Sequence, residues 1–465
     1  MVFSSTIFLF VFLPLVWLAN RFLPRAVSNI FLCGASLVFY AWGEPVYVLL
    51  LILIVLANYL LAKGINQCRL KKARLIAGVI INTSTLFVFK YTDFALDTLN
   101  LLPGVKLPLP GILLPIGVSF FIFQAMSYLI DVYRGVCVPQ KSFFKLLLYV
   151  SFFPQLIAGP IIYYHDIERQ IEDRRITSVE TALGIRRFIV GLSKKVLIAN
   201  TLAVAVDAIY ALDSDSLSLS ISWIAALGYI LQLYYDFSGY SDMALGLGRM
   251  FGFSFKENFN YPYVSTSVQE FWRRWHISLS GWFREYVYIP LGGNRKGSLR
   301  TAINKVTVFF LTGLWHGAQW TFVVWGLVHG AFLLLEQYFK PIQRLGKRMK
   351  WIGGIYTLLV VTFAFVLFRS ENFSQALAFW RNMVAGSRDM GTQAQLITPM
   401  FITAYFAGII GAAPRIHDVS SRIMNRGVVG RVLTASSYAG AVVLLLMCML
   451  SLSAATHNPF IYFRF

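Results

Sequence analysis

The feature that most constrains this chain is a recurrence of apolar runs about as long as a hydrocarbon core is thick, roughly 20 residues for ~30 Å. Such runs fall at 2–22, 28–42, 45–62, 76–92, 112–133, 143–162, 182–212, 218–236, 301–318, 320–338, 352–368, 398–412 and 432–455. Only 13% of the 465 residues are charged, about half the share of an average soluble domain. Backbone polar groups inside a bilayer find no water, so each run has to satisfy them internally as a helix. The predicted fold is therefore all-α and polytopic, one integral-membrane domain over 1–465 with no soluble domain. The first run has no Lys or Arg before it and no small-residue cleavage pattern after it, so it reads as an anchored helix rather than a signal peptide.

The net charge of +20 would suit a nucleic-acid binder, but the basic residues sit in short loops between apolar runs. Positive-inside topology accounts for them. "KGINQCRLKKAR" (63–74) and "KPIQRLGKRMK" (340–350) each hold five Lys or Arg and no acid, which assigns both loops to the cytoplasm. "HDVSSRIMNRGVVGR" (417–431) points weakly the same way. Cys33, Cys68, Cys137 and Cys448 are scattered and lack the paired spacing of a disulfide framework or a zinc site. The recurrence of "HGA" at 316–318 and 329–331 is too short to mark a repeat.

Between 251 and 300 the sequence is too polar for a span and too aromatic for a solvated loop. It reads as an interfacial or re-entrant segment, partly buried in protein. Within it, "SVQEFWRRWHISLSGWF" reads as helix, with Ser267 as N-cap and Glu270 as its capping-box partner. "LGGNRKG" (291–297) breaks it, as a turn or as a phosphate contact.

"LTGLWHGAQW" (311–320) places His316 inside a stretch, 306–335, that contains no Asp, Glu, Lys or Arg. As one straight helix that stretch would span ~45 Å, so it should bend or divide. Gly313 and Gly317 flank the histidine, lowering helix propensity and letting another backbone or a substrate approach closely. On an ideal helix His329 would lie about 220° around from His316, off its face. A titratable ring at membrane depth marks a reactive site or glues helices together, and for a lone histidine the two readings weigh equally. Burial disfavours the imidazolium and keeps a ring able to accept a proton. His276, in "RRWHIS", is the second candidate, although beside Arg273 and Arg274 it reads first as an interfacial histidine. His165, His417 and His457 lie at run ends or in loops and read as structural.

Other chemistries lack their motifs: there is no G-x-S-x-G elbow, no H-E-x-x-H, no clustered Cys and His, and no Walker A loop. No metal is therefore expected. Asp236 and Asp242, in "YYDFSGYSDMALGLG" (234–248), either orient a reactive group or pair helices, with the structural reading favoured.

Six stretches in order carry a resemblance: "MVFSSTIFLFVFLP", "LLPIGVSFFIFQAMSYLIDVYRG", "FFPQLIAGPI", "QLYYDFSGYSDMALGLG", "NFNYPYVSTSVQEFWRRWHISLSGWFREYVYIPLGGNRKG" and "GLWHGAQWTFVVWGLVHG". Together they resemble the membrane-bound O-acyltransferase family, in its bacterial branch of alginate and peptidoglycan O-acetylation subunits. The resemblance implies a ring of roughly 11–13 helices, some tilted, broken or re-entrant, around a central tunnel. It implies His316 as the catalytic general base and His276 as its polar partner, with Trp315, Gly317, Asp236, Asp242, Arg273 and Arg274 as supporting or tunnel positions.

The same resemblance implies acetyl-CoA or an acyl-phosphopantetheine as cytoplasmic donor substrate and no bound cofactor. It also implies a bacterial inner-membrane location among membrane lipid, an extracytoplasmic partner of the SGNH-hydrolase type, and a polysaccharide acceptor reached indirectly. The aromatic tail at 456–465, "NPFIYFRF" at its end, is similar to the tail of a small helper protein in D-alanylation. Tyr462 is accordingly a candidate acyl relay, weighed equally against an aromatic anchor at the interface. A lipid or D-alanyl O-acyltransferase and a non-enzymatic transporter or flippase are the alternative readings, since polar midplane residues and broken helices also mark transport paths.

Overall fold

The computed structural model describes residues 1–65, 70–339, 348–415 and 427–454. Cys68, His417, His457, Tyr462, the 456–465 tail and most of the 340–350 loop lie outside the described residues. Every regular element among the described residues is helical. In chain order these are α1 (Phe8–Phe22), α2 (Arg25–Ala41), α3 (Tyr47–Ile65), α4 (Lys71–Asn100), α5 (Val118–Arg134), α6 (Phe143–Ser151), α7 (Tyr164–Glu172), α8 (Ser178–Tyr210) and α9 (Leu219–Met250). They continue with α10 (Val268–Arg274), α11 (Ile277–Phe283), α12 (Ser298–His316), α13 (Trp320–Tyr338), α14 (Lys350–Arg369), α15 (Phe373–Ala385), α16 (Pro399–Gly411) and α17 (Gly427–Ala454). Six helices are long and apolar enough to cross a membrane, and three shorter ones are apolar. The chain is an all-α, multi-pass membrane protein.

Two expected runs are redrawn, and one helix is added. The run at 143–162 is no single span: α6 stops at Ser151, Phe152 is extended, and one helical turn, Phe153–Leu156, precedes an irregular strip. Pro160 explains the strip, because a proline disfavours helix at the residue before it. The run at 218–236 continues instead to Met250 as a 32-residue helix, since its polar side chains find partners in protein rather than ending it. Helix α15 was not expected from the apolar runs; Asn372 caps it, its Oδ1 accepting from the Gln375 amide at 2.9 Å.

The chain packs as two compact units, Met1–Phe188 with Met243–Lys256, and Ile189–Asp242 with Glu257–Phe465. In the first, Phe8 meets Phe3 at 5.0 Å and Phe39 at 5.8 Å, and Phe39 meets Phe153 at 5.6 Å between ring centroids. Asn58 of α3 and Asn82 of α4 exchange side-chain hydrogen bonds at 3.2 and 2.9 Å, so two buried amides satisfy one another. In the second, α12 and α13 form an antiparallel hairpin, confirmed at its open end by Tyr338 Oη donating to the Ser298 carbonyl at 2.9 Å. Its core is aromatic, with Phe271, Trp275, Trp325, Phe365 and Phe368 all buried.

In the first unit His165 Nδ1 lies 3.0 Å from Asp131 and its ring stacks on Tyr163. The hydrogen bond to Asp131 raises the imidazole pKa above its ordinary value. A raised folded-state pKa gives stability that is complete below the unfolded value, about 6.5, and is lost as pH rises through the folded value. Thermal unfolding of the detergent-solubilised protein across that window should show this loss, and His165→Gln should flatten it.

Candidate functional site

The site is built in the second unit where four segments meet. Helix α12 ends at His316, and Gly317, Ala318 and Gln319 turn the chain into α13. The hairpin is closed by glycines: a Cβ on Gly326 would collide with the Phe309 carbonyl, and one on Gly313 with the Phe322 carbonyl. The two helices thus touch backbone to backbone, which only glycine permits. A Cβ on Gly317 would likewise strike the Phe322 ring. Space expected at the flanking glycines is therefore filled by the chain's own Phe322 and backbone, so of the two expected approaches the structure shows the backbone one.

His316 is 2% exposed and walled by aromatic rings. Trp315 and Trp325 each stand 5.0 Å from it between centroids, and Phe368 stands 5.4 Å away. His276 is fully buried, 6.5 Å from His316, with Trp315 at 5.7 Å and Phe237 of α9 at 4.6 Å. Two histidines 40 positions apart in sequence thus share one aromatic enclosure. An imidazole is the side chain whose ordinary titration lies nearest neutral pH, so either ring is of the type that can take up and return a proton.

His276 reaches inward because its backbone is left-handed, φ +43°, at the corner between α10 and α11. That conformation is costly for a side chain with a Cβ, by about 1–2 kcal/mol, and neighbouring hydrogen bonds hold it. The Asn258 carbonyl accepts from the Ile277 amide at 2.9 Å. The Asn258 side chain accepts from Ser278 N at 3.0 Å and Ser278 Oγ at 2.9 Å. Asn260 N donates to the Arg274 carbonyl at 2.9 Å, completing the clamp.

Helix α10 is fixed at its other end. Ser267 Oγ accepts from Glu270 N at 3.0 Å, the expected N-cap. Glu270 Oε2 turns to Thr266, accepting from its amide and hydroxyl at 2.9 Å each. The free amides of Val268 and Gln269 donate to the Glu336 carboxylate of α13 at 2.6 and 3.0 Å. A carboxylate on unsatisfied amides at a helix start is favoured by charge and hydrogen bonding together.

The sequence-derived residues sort by geometry. His316, His276 and Trp315 converge. Asp236 pairs with Lys195 at 2.6 Å and Asp242 with Lys194 at 2.6 Å, tying α8 to α9; Asp236 precedes Phe237, whose ring rests on His276. Arg274 pairs with Glu270 at 2.9 Å and donates to the Asn260 carbonyl at 3.2 Å, whereas Arg273 lines a separate cavity. His329 also comes close, contrary to ideal-helix geometry, because the hairpin turn resets the register. Trp325 stands 5.0 Å from His316 and 5.0 Å from His329, and Trp272 Nε1 donates to His329 Nδ1 at 3.2 Å. Sequence reasoning missed Asn258, Phe237, Trp325 and Glu336; the acid that ends the uncharged 306–335 stretch was the one available signal, for Glu336.

A sequence profile described as MBOAT, membrane-bound O-acyltransferase family, matches residues 113–373, a span that contains both histidines. The chain is 38% identical over 506 residues to the probable alginate O-acetylase AlgI of Azotobacter vinelandii, covering 100% of both chains. It is 38% identical to the peptidoglycan O-acetyltransferase of Helicobacter pylori, over 83% of this chain and 80% of that one. With the teichoic acid D-alanyltransferase of Bacillus subtilis it shares 27% identity over 56% of this chain and 68% of the other.

The left-handed corner yields a paired test. His276→Gly and His276→Ala both remove the ring, but only glycine occupies φ +43° without strain. The glycine variant should be more stable than the alanine variant by about 1 kcal/mol, read as a higher Tm in detergent.

Proposed function

The chain belongs to the membrane-bound O-acyltransferase family and is a multi-pass membrane acyltransferase; from that premise we propose that His316 is the general base of an acetyl transfer across the bacterial inner membrane. The donor is a cytoplasmic thioester, acetyl-CoA or an acyl-phosphopantetheine. The group is destined for an extracytoplasmic polysaccharide, alginate or peptidoglycan being the polymers in the names of the relatives. An extracytoplasmic partner of the SGNH-hydrolase type completes delivery.

The observation that supports this reading is the convergence of two buried histidines, 6.5 Å apart, in one aromatic enclosure. In the reaction an acceptor hydroxyl attacks the thioester carbonyl while neutral His316 takes its proton. The tetrahedral intermediate then collapses, expelling the thiolate, which recovers that proton from the imidazolium as an ester is formed. Such base assistance is typically worth about 10² to 10⁴ in rate. His276, held by the Asn258 clamp, orients the acceptor or the base. Trp315, between the two rings, fixes their spacing. Tyr462 is the proposed acceptor hydroxyl of a relay ester within the aromatic tail.

Incubation of the purified protein and its partner with acetyl-labelled CoA tests this. His316→Ala should lower acetyl transfer by about 10²-fold or more, whereas His165→Gln should leave it unchanged. Transfer that persists in His316→Ala removes the base assignment, and absence of transfer from every thioester donor in the unmodified protein removes the acyl-transfer reading. For the relay, Tyr462→Phe should abolish the labelled ester on the chain; full acetyl export by that variant rules Tyr462 out.

A further inference from the structure

In the first unit α4 and α5 are joined by residues 101–117, which form neither helix nor strand. Connections of that length without secondary structure are uncommon in a compact protein and usually serve a purpose. This one, "LLPGVKLPLPGILLPIG", holds a single charge, Lys106. Side chains of three helices and the loop before α3 bind its backbone. Asn100, the last residue of α4, donates to the Leu107 carbonyl at 3.0 Å and accepts from the Leu107 amide at 2.7 Å. Asp93, earlier in α4, accepts from the Ile112 amide at 3.0 Å. Glu44, between α2 and α3, accepts from the Ile116 amide at 3.3 Å. The hydroxyls of Tyr40 and Tyr47 donate to the carbonyls of Ile116 and Leu113 at 3.0 and 3.3 Å. Pro103, Pro108, Pro110 and Pro115 bring no amide hydrogen to satisfy.

Those bonds fix the depth of the strip. Helix α4 starts from the basic loop at 63–74, cytoplasmic by the positive-inside rule, so Asn100 lies at the outer face. Its 30 residues rise about 45 Å, more than a hydrocarbon core of ~30 Å. Counted from Leu75, just past the basic residues that open the helix, Asp93 stands about 27 Å up, near the outer border of that core. Asn100 stands about 10 Å higher. Leu107 is tied level with Asn100, and Ile112 level with Asp93. Between them the strip descends about 10 Å along α4, back toward the hydrocarbon. Its leucines are not packed away on this descent: Leu107, Leu109 and Leu113 are 40–76% exposed, as are Leu101 and Leu102 before them. Exposed Phe87, Val88 and Leu99 of α4 continue the same apolar surface.

Five exposed leucines on one connection need a cover, because contiguous apolar surface facing water marks an interaction site. We propose that residues 101–113 are a lipid-binding strip: their leucines lie among the acyl chains at the surface of the outer leaflet, and Lys106, at the upper end, stands at the level of the phosphates. Apolar side chains held in this way reach about 5–10 Å into the boundary between headgroups and acyl chains, which matches the descent along α4. The occupant is phospholipid rather than a soluble protein because a protein arriving from the aqueous phase meets only the upper end of the strip, whereas the exposed leucines continue below it and join the membrane-facing surface of α4. The strip is bonded to α2, α3 and α4. Lipid that holds it therefore also sets the depth of the outer ends of those helices.

Spin labelling of the full chain in vesicles of phosphatidylethanolamine and phosphatidylglycerol tests this. The label is placed in turn at Lys106→Cys, Leu109→Cys and Leu113→Cys, with Arg388→Cys in an exposed polar loop as the aqueous reference, each in a chain carrying Cys68→Ser. Collision with oxygen, which concentrates in lipid, is compared with collision with a water-soluble nickel chelate. The oxygen-to-nickel ratio should rise in the order Lys106, Leu109, Leu113, and at Leu113 it should exceed the Arg388 value several-fold. The unsubstituted protein gives an independent readout: a photoreactive diazirine carried on a phospholipid acyl chain should modify peptides from 101–113 and leave 386–390 unmodified. Nickel access at Leu109 and Leu113 equal to that at Arg388, or no photolabel on 101–113, overturns the proposal. Low collision with both reagents overturns it as well, since the strip is then covered by protein, either a second copy or a partner.

Discussion

The contact between the backbones of α12 and α13 is the constraint on which the rest of the site depends. With glycine at 313 and 326, the two helices come together without side chains between them. That proximity fixes where α12 stops, and the stop puts His316 at the buried end of a helix rather than midway along a long one. It also brings Trp325 and His329 back alongside His316. Larger residues at either glycine would part the helices and take His316 away from its enclosure.

Around that seam the polypeptide arranges costly features so that each is answered by a neighbour. The left-handed backbone of His276 is answered by Asn258 and Asn260. The buried carboxylate of Glu336 is answered by two amides of α10, and buried Lys195 by Asp236. Each pairing would be expensive to break singly, because the remaining partner would be left buried and unsatisfied.

Much of this was legible in the sequence. Length and spacing of apolar runs gave the helical, multi-pass class, and the division of 306–335 followed from its excess length. The motif stretches carried both histidines. What the sequence hid were relations that depend on a turn or a clamp. His329 looked remote because helical-wheel geometry assumes an unbroken helix, and three residues of turn abolish that assumption. Asn258 was invisible because its role is to hold a backbone conformation that no periodicity encodes. The polar stretch of α9 looked like a helix end because its partners, Lys194 and Lys195, lie on a different element.

Helix α10 has only seven residues, too few to be stable alone in water or at an interface. One of its two anchors, Glu336, lies 68 residues downstream of Val268. During synthesis Ser267 can cap α10 at once, whereas the Glu336 anchor becomes available only when α13 has been made. The second anchor of the corner is thus supplied by a residue made after both His276 and His316.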